Sequence, residues 1–205
     1  MTIRLHRGDL PDLAHYRGGA VAIDTETMGL DPNRDRLCVV QLSPGDGSAD
    51  VVQIPPGAAS AQNLTKLLAD GAILKIFHFA RFDLGALAKA LGVMPSPVYC
   101  TKIASRIART YTDKHGLKDL AREVLGVDLS KQQQLSDWVA PTLTEAQVAY
   151  AASDVLHLHA LREKLDAMLA REGRAELAAA CFRFLPDRVR LDLAGFAGED
   201  IFAHS

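Results

Sequence analysis

An α/β fold, with a mixed sheet covered by helices, is what the order of apolar runs in this 205-residue sequence predicts. Three observations point there. Short runs rich in Val and Ile fill the first half, with turn residues between them. Helical spacing interrupts those runs twice. From Thr101 onward the pattern is nearly all helical.

The elements follow in order. Ala20 to Ile23 (AVAI) is a short apolar run and reads as a buried strand. Leu37 to Leu42 and Asp50 to Ile54 are two more, separated by GLDPNRD and SPGDGSAD, so the three form an antiparallel meander. Ala61 to Ala69 carries Leu64, Leu67 and Leu68 at helical spacing. Ile73 to Phe77 is a fourth strand. Phe82 to Leu91 is helical and stops at Gly92, which suits a C-terminal cap. Val98 to Cys100 is a short fifth strand. Leu117 to Leu125 is a helix ended by Gly126. Thr144-Glu145-Ala146-Gln147 has the capping-box pattern and opens a long helix to about Arg171. A last helix runs from Ala175 to Phe184, with Pro186 as its stop. The prediction is therefore a five-stranded sheet with a helical C-terminal half.

Composition bounds the function. Hydrophobic residues make up 48% and charged residues 23%, a globular mix rather than a disordered one. A chain of this length buries roughly 70% of its unfolded surface without help from a disulfide or structural metal. The formal net charge of −2 argues against a strongly basic DNA-coating protein and against an acidic tail. No apolar stretch approaches the roughly 18 residues of a membrane span. The N-terminus MTIRLHRGDLPD lacks the apolar stretch and cleavage site of a secretory signal. Cys38, Cys100 and Cys181 form no CxxC pair, and Cys38 in LCVVQL reads as a small core hydrophobe. A reducing cytoplasm is the expected location. The expectation is one domain over residues 1–205, with a motif core at about 20–165, a C-terminal helix and tail at 172–205, and no further nucleic-acid-binding domain.

The chemistry lies in the acids. Asp24 and Glu26 end the first strand at i and i+2, so both project to one side. Asp83 sits early in the helix after the fourth strand. Tyr150 and Asp154 are four apart on a late helix and share a face. Each feature alone is ordinary, a strand end or a solvated helix face. Together they offer four carboxylates from elements that can converge at one edge of a mixed sheet. Crowded carboxylates repel unless they are protonated or share a cation. Hard oxygen ligands without Cys, and without a His pair on one helix face, suit Mg²⁺ or Mn²⁺ rather than Zn²⁺. Two such ions clamp the attacking and leaving oxygens of an in-line phosphoryl displacement.

AIDTETMGLD, HFARFD and YAASD, in that order, resemble the three motifs of the DEDD 3′–5′ exonucleases, in the tyrosine (DEDDy) branch. GLKDLAREVLGVDLSKQQQLSDW further resembles the ribonuclease D group. The short length, DTETMGLDPNRDRLCVVQLS, SKQQQ and DIFAHS are similar to the nano-RNase C family, which finishes RNA decay by cleaving very short oligoribonucleotides. The resemblance implies a ribonuclease H-like fold and 3′–5′ hydrolysis of short single-stranded RNA, dinucleotides included, to nucleoside 5′-monophosphates. It implies two divalent cations, Mg²⁺ or Mn²⁺, held by Asp24, Glu26, Asp83 and Asp154. It gives Tyr150 the nucleophilic water to orient. It also implies a ring-like homo-oligomer such as an octamer. Two alternatives stay open: a broader exonuclease acting on DNA or longer RNA, and a module that binds nucleic acid without cleaving it.

Substrate contacts are carried by less specific signals. In relatives an apolar side chain after the first motif wedges between the last two bases, which makes Met28 and Leu30 candidates, Leu30 first. His78 and Phe79 are candidates for stacking a base or touching phosphate. Many relatives have Asn where this chain has Phe79, so the chain departs from the family pattern at that turn. Lys102 to Lys118 is the densest run of bases, and Arg109 and Lys114 within it, with Lys131 and Gln132 to Gln134, are expected to meet phosphates or a neighbouring subunit. Trp138 reads as core.

Overall fold

The computed structural model describes residues 2–57, 60–130, 132–133 and 136–204. Its strands are β1 (Thr2–Arg7), β2 (Ala20–Thr27), β3 (Leu37–Ser43), β4 (Ser48–Gln53), β5 (Leu74–Phe77) and β6 (Val98–Cys100). The helices are α1 (Gln62–Ala69), α2 (Ala80–Leu91), α3 (Thr101–Ala108), α4 (Leu117–Leu125), α5 (Glu145–Leu156), α6 (Leu158–Arg171) and α7 (Ala175–Leu191). A wide turn, Asp192–Phe196, follows α7. The strands form one mixed sheet in the order β1-β4-β3-β2-β5-β6. β2, β3 and β4 are the antiparallel meander; β1 joins β4, and β5 joins β2 and β6, in parallel.

The sheet thus has six strands, not five. The extra one, TIRLHR, has no apolar run because it is a half-exposed edge strand. What ties it in is polar. Arg4 Nε and Nη2 donate to Asp50 at 2.7 and 2.9 Å, His6 Nε2 lies 2.7 Å from the same carboxylate, and Tyr16 Oη donates to it at 2.5 Å. Asp50 is 2% exposed, so these bonds replace the water it gave up.

Two apolar layers sandwich the sheet. Val21 and Ile23 of β2 face the layer that holds α1, α2 and the end of α7. Ala22 faces the layer of α3 to α6, with Ala151, Ala152 and Val155 of α5. The period of two then decides where the rest of β2 points: Asp24 and Glu26 continue on the α5 side and Thr25 on the α2 side.

Several local expectations hold. Gly92 and Gly126 cap α2 and α4 at φ 66° and 71°. Thr144 and Gln147 form the reciprocal capping box of α5. Trp138 and Cys38 are buried. Two boundaries differ. The helix expected from Thr144 to Arg171 breaks at His157 (φ −104°, ψ −5°), because α5 lies on β2, β3 and β4 whereas α6 turns to pack on α3. Pro186 does not end α7, which continues to Leu191. Leu185 and Val189 bury against the α2 side on either side of the proline, which outweighs the backbone bond it cannot make. No helix among the described residues is long and apolar enough to cross a membrane.

Candidate active site

The carboxylates converge at the end of β2. Asp24, Glu26 and Asp154 each offer an oxygen, and these oxygens all lie within 4.8 Å of one another. The strand supplies two of the acids on one face. α5 supplies the third, because Ala151 and Ala152 are small enough to bring that helix down onto the sheet. Asp83 comes from the other side. It sits in the first turn of α2, is 2% exposed, and accepts a 2.7 Å bond from Thr25 Oγ1. The four acids therefore straddle β2: Asp24, Glu26 and Asp154 lie on its α5 side and Asp83 on its α2 side. Opposite Asp24 on β3, Gln41 is fully buried and its Nε2 donates to Asp24 Oδ2 at 2.7 Å. Gln41 Oε1 has no partner among the described residues.

This arrangement strains against its own charge. Burial pushes the Asp24 carboxyl well above the usual carboxylate range, and Asp83, Asp154 and Glu26 push it further. Burial, then Asp154 and Asp83, raises Glu26 to about 8. Burial raises Asp154 to about 7, and Asp83 to about 7 despite the Thr25 bond. Burial and the neighbouring carboxylates also raise the Tyr150 phenol, so Tyr150 is a neutral hydroxyl near neutral pH and not a base. Acids gathered this closely, all with hard oxygens, fit a divalent cation in place of the protons they otherwise hold.

The acids open onto a cavity of about 330 Å³ walled by Tyr150, His78, Phe79, Lys102 and Lys118. Tyr150 packs against Trp138, ring centres 6.1 Å apart. His78 Nδ1 lies 2.9 Å from Thr101 Oγ1. Burial, then Lys102, lowers the imidazole to about 3, so it is neutral and part of the wall. Phe79 stands at φ 69°, and Lys102 Nζ sits 4.3 Å from its ring centre. Met28 and Leu30 lie on the loop after β2, both exposed, Leu30 at 85%.

Arg109 requires correction. It is 1% exposed and turned inward, and it does not wall the carboxylate cavity. It pairs with Glu123 and donates to Ser105 Oγ at 3.0 Å and to the Lys114 carbonyl at 3.1 Å. Its guanidinium satisfies the turn that leads into α4. The Lys114 side chain is exposed but does not wall the cavity. Lys131 and Gln134 lie outside the described residues. The bases that do wall it, Lys102 and Lys118, bracket the same basic run. Sequence reasoning also passed over Gln41 and Thr25. A lone amide inside LCVVQL was the available signal for the first; nothing local marked the second.

The chain's likenesses agree with this geometry. A family model described as 3′–5′ exonuclease matches residues 12–170. Ribonuclease D of Gluconacetobacter diazotrophicus is 36% identical over 167 residues, 82% of this chain and 42% of that protein. The chain spans about two fifths of the length of such curated relatives. The structure of Brucella melitensis NrnC with bound Mg²⁺ is 61% identical with a TM-score of 0.96 and covers 100% of both chains. The same protein bound to pGG is 62% identical, with a TM-score of 0.97 and the same full coverage. Escherichia coli RNase D, an exoribonuclease involved in structured RNA processing, is 27% identical with a TM-score of 0.82, over 93% of this chain and 51% of that one. The match extends from before β2 to the end of α6 and so takes in every one of the converging acids: this chain belongs to the 3′–5′ exonuclease family.

Proposed function

We propose that this chain degrades very short single-stranded oligoribonucleotides, dinucleotides included, from the 3′ end to nucleoside 5′-monophosphates. The observation that carries the reading is the Asp24, Glu26 and Asp154 cluster, with Asp83 behind it. Full-length likeness to Brucella melitensis NrnC, and the pGG bound to that protein, support the substrate length. In this reading Asp24, Glu26 and Asp154 hold one Mg²⁺ or Mn²⁺, and Asp24 with Asp83 a second. Bound cations would offset charge at the scissile phosphate. Gln41 keeps the Asp24 carboxylate aimed into the cavity. The Tyr150 hydroxyl orients the attacking water, and Lys102 and Lys118 draw the phosphate toward the acids. Residues 1–205 act as one exonuclease domain, in the cytoplasm. Assembly into a closed homo-oligomer, such as an octameric ring, would cover the exposed Phe196, Ile201 and Phe202 near the C-terminus.

A broader exonuclease is the second reading, favoured by the likeness to Escherichia coli RNase D. Cleavage of a dinucleotide, an intermediate oligomer, a long RNA and duplex DNA across a salt series separates the two. Short-RNA preference with a shallow salt dependence is expected; preference for the longest strand with a steep one overturns the proposal. Asp24→Ala is expected to abolish divalent-dependent cleavage, and Tyr150→Phe to lower turnover by about 10²-fold or more with the fold intact. Unchanged cleavage by Asp24→Ala would remove the site assignment, and cleavage of no substrate by wild type would return the non-catalytic reading.

A further inference from the structure

A cavity of about 470 Å³, walled by none of the clustered acids, is built from the loop after β2, the segment after β4 and the last turns of α2. Its volume lies within the range of small-ligand pockets, about 300–1,000 Å³. Its walls are of two kinds. Ile54, Pro55 and Pro56 after β4, with Ala86, Ala90 and Leu91 of α2, make an apolar surface. Arg34, Arg36 and Lys89 set three bases against a single acid, Asp35. That local surplus runs against a chain with 25 acids and 23 bases.

The acid is already spent. Arg34 Nε and Nη2 both donate to Asp35 at 2.8 Å, and the Asp31 amide adds a 3.0 Å bond. Arg36 stands differently. It is half-buried, and its Nη1 donates to the carbonyls of Ile54 and Leu37 at 2.9 and 3.2 Å. Among the described residues neither Arg36 nor the exposed Lys89 pairs with a carboxylate. A guanidinium pinned by neutral carbonyls keeps its full charge and has given up its rotamer freedom before any ligand arrives. Its Nε and Nη2 donors are left for an anion.

We propose that this cavity binds a nucleoside 5′-monophosphate, with the phosphate on Arg36 and Lys89 and the base against the apolar surface after β4. The inference rests on the exonuclease reading above, which makes that compound the product, and goes beyond it by giving the product a second place on the enzyme. The occupant follows from the walls. Paired cations suit a phosphate dianion, the Ile54 and proline surface suits a flat ring, and Asn33, Ser60 and Thr65 offer polar partners to ribose hydroxyls. The loop transmits the consequence. The Arg36 carbonyl accepts from the Met28 amide at 3.1 Å, and a Cβ at Gly29 would collide with the Asp35 carboxylate, so residues 28–36 pack as one unit. Pro32 and Asn33 of this loop also wall the groove lined by Leu30 and Phe79. Product held on Arg36 therefore acts on the loop that carries Leu30 and slows the enzyme from outside the carboxylate site.

Calorimetry of the full chain in chelator tests the site, because the metal-free acids repel phosphate. Adenosine 5′-monophosphate is expected to bind saturably, and adenosine and inorganic phosphate each about tenfold or more weaker, the scale of lost bonds to charged groups. Lys89→Glu and Arg34→Gln, both at exposed positions, should weaken binding of the monophosphate while leaving the melting temperature in place. In a dinucleotide assay with Mg²⁺, added monophosphate should lower kcat more than it raises KM. Lys89→Glu should relieve that inhibition and keep the uninhibited rate. Absence of binding in chelator overturns the site, as does adenosine or inorganic phosphate binding as tightly as the monophosphate. Purely competitive inhibition that persists in Lys89→Glu overturns the action on the loop. Binding that depends on Lys89, in a wild type that cleaves no substrate, overturns the exonuclease reading and upholds the site.

Discussion

Thr25 turns to the α2 side of the sheet and meets Asp83, donating a 2.7 Å hydrogen bond from the residue that sits between Asp24 and Glu26. Two acids of one strand and a third from a distant helix are thereby coupled by a residue that bears no charge. Thr25→Val keeps the shape and removes the donor. We expect a loss of about 1–3 kcal/mol in chemical denaturation, because the Asp83 carboxyl stays buried with one partner fewer. The bond also holds the Asp83 carboxyl down against burial, so the pH at which divalent ions activate the enzyme should move up. Thr25→Ser should restore both. An unchanged pH profile in Thr25→Val would show that Asp83 does not depend on this bond.

Metal-free protein carries the acids at a cost. Asp24→Asn removes the acid on which burial and the three neighbouring carboxylates all press, and should raise the melting temperature measured in chelator, while abolishing the further rise on adding Mg²⁺ or Mn²⁺. In wild type the raised carboxyls keep protons that unfolded carboxyls lose at about pH 4. Their contribution to metal-free stability is therefore full below about pH 4 and fades as pH rises through 7 to 8, the range of Asp154, Asp83 and Glu26. Divalent stabilisation should grow over the same window, since ligands must shed protons to bind. Melting scans with and without the ion at several pH values measure both.

Arg109 and Lys118 should behave as opposites. Arg109→Ala leaves Glu123 without its partner and the 112–116 turn without its anchor, so a stability loss of about 2–4 kcal/mol is expected. Lys118→Ala and Lys102→Ala should leave stability within about 0.5 kcal/mol, raise KM, and flatten its dependence on salt. Denaturation paired with KM over a salt series separates support from contact. A raised KM with full stability in Arg109→Ala would reverse the assignment.

Asp50 anchors the edge strand. Burial opposes its ionisation, yet the bonds from Arg4, Tyr16 and His6 hold it down at about 2. The unfolded carboxyl titrates near 4. Its stabilisation is therefore present above about pH 4 and is lost as pH falls toward 2. Asp50→Asn should flatten the acid limb of a stability–pH curve and lower the plateau by about 2 kcal/mol. Hydrogen exchange should locate the loss at β1.

The acids were legible because each motif is short and the strand period alone puts Asp24 and Glu26 on one face. The caps at Gly92, Gly126 and Thr144 were legible for the same reason: backbone geometry within one helical turn selects the residue. What lay beyond reach depends on partners far along the chain. β1 exists as a strand because Asp50 receives Arg4 and His6. Pro186 stays helical because Leu185 and Val189 find the α2 side of the sheet. Arg109 left the candidate contacts because Ser105, Lys114 and Glu123 enclose it. Sequence alone determined the chemistry, since charge type and spacing are local. Tertiary structure decided which side chains meet that chemistry, since burial and long-range hydrogen bonds form only when distant segments pack.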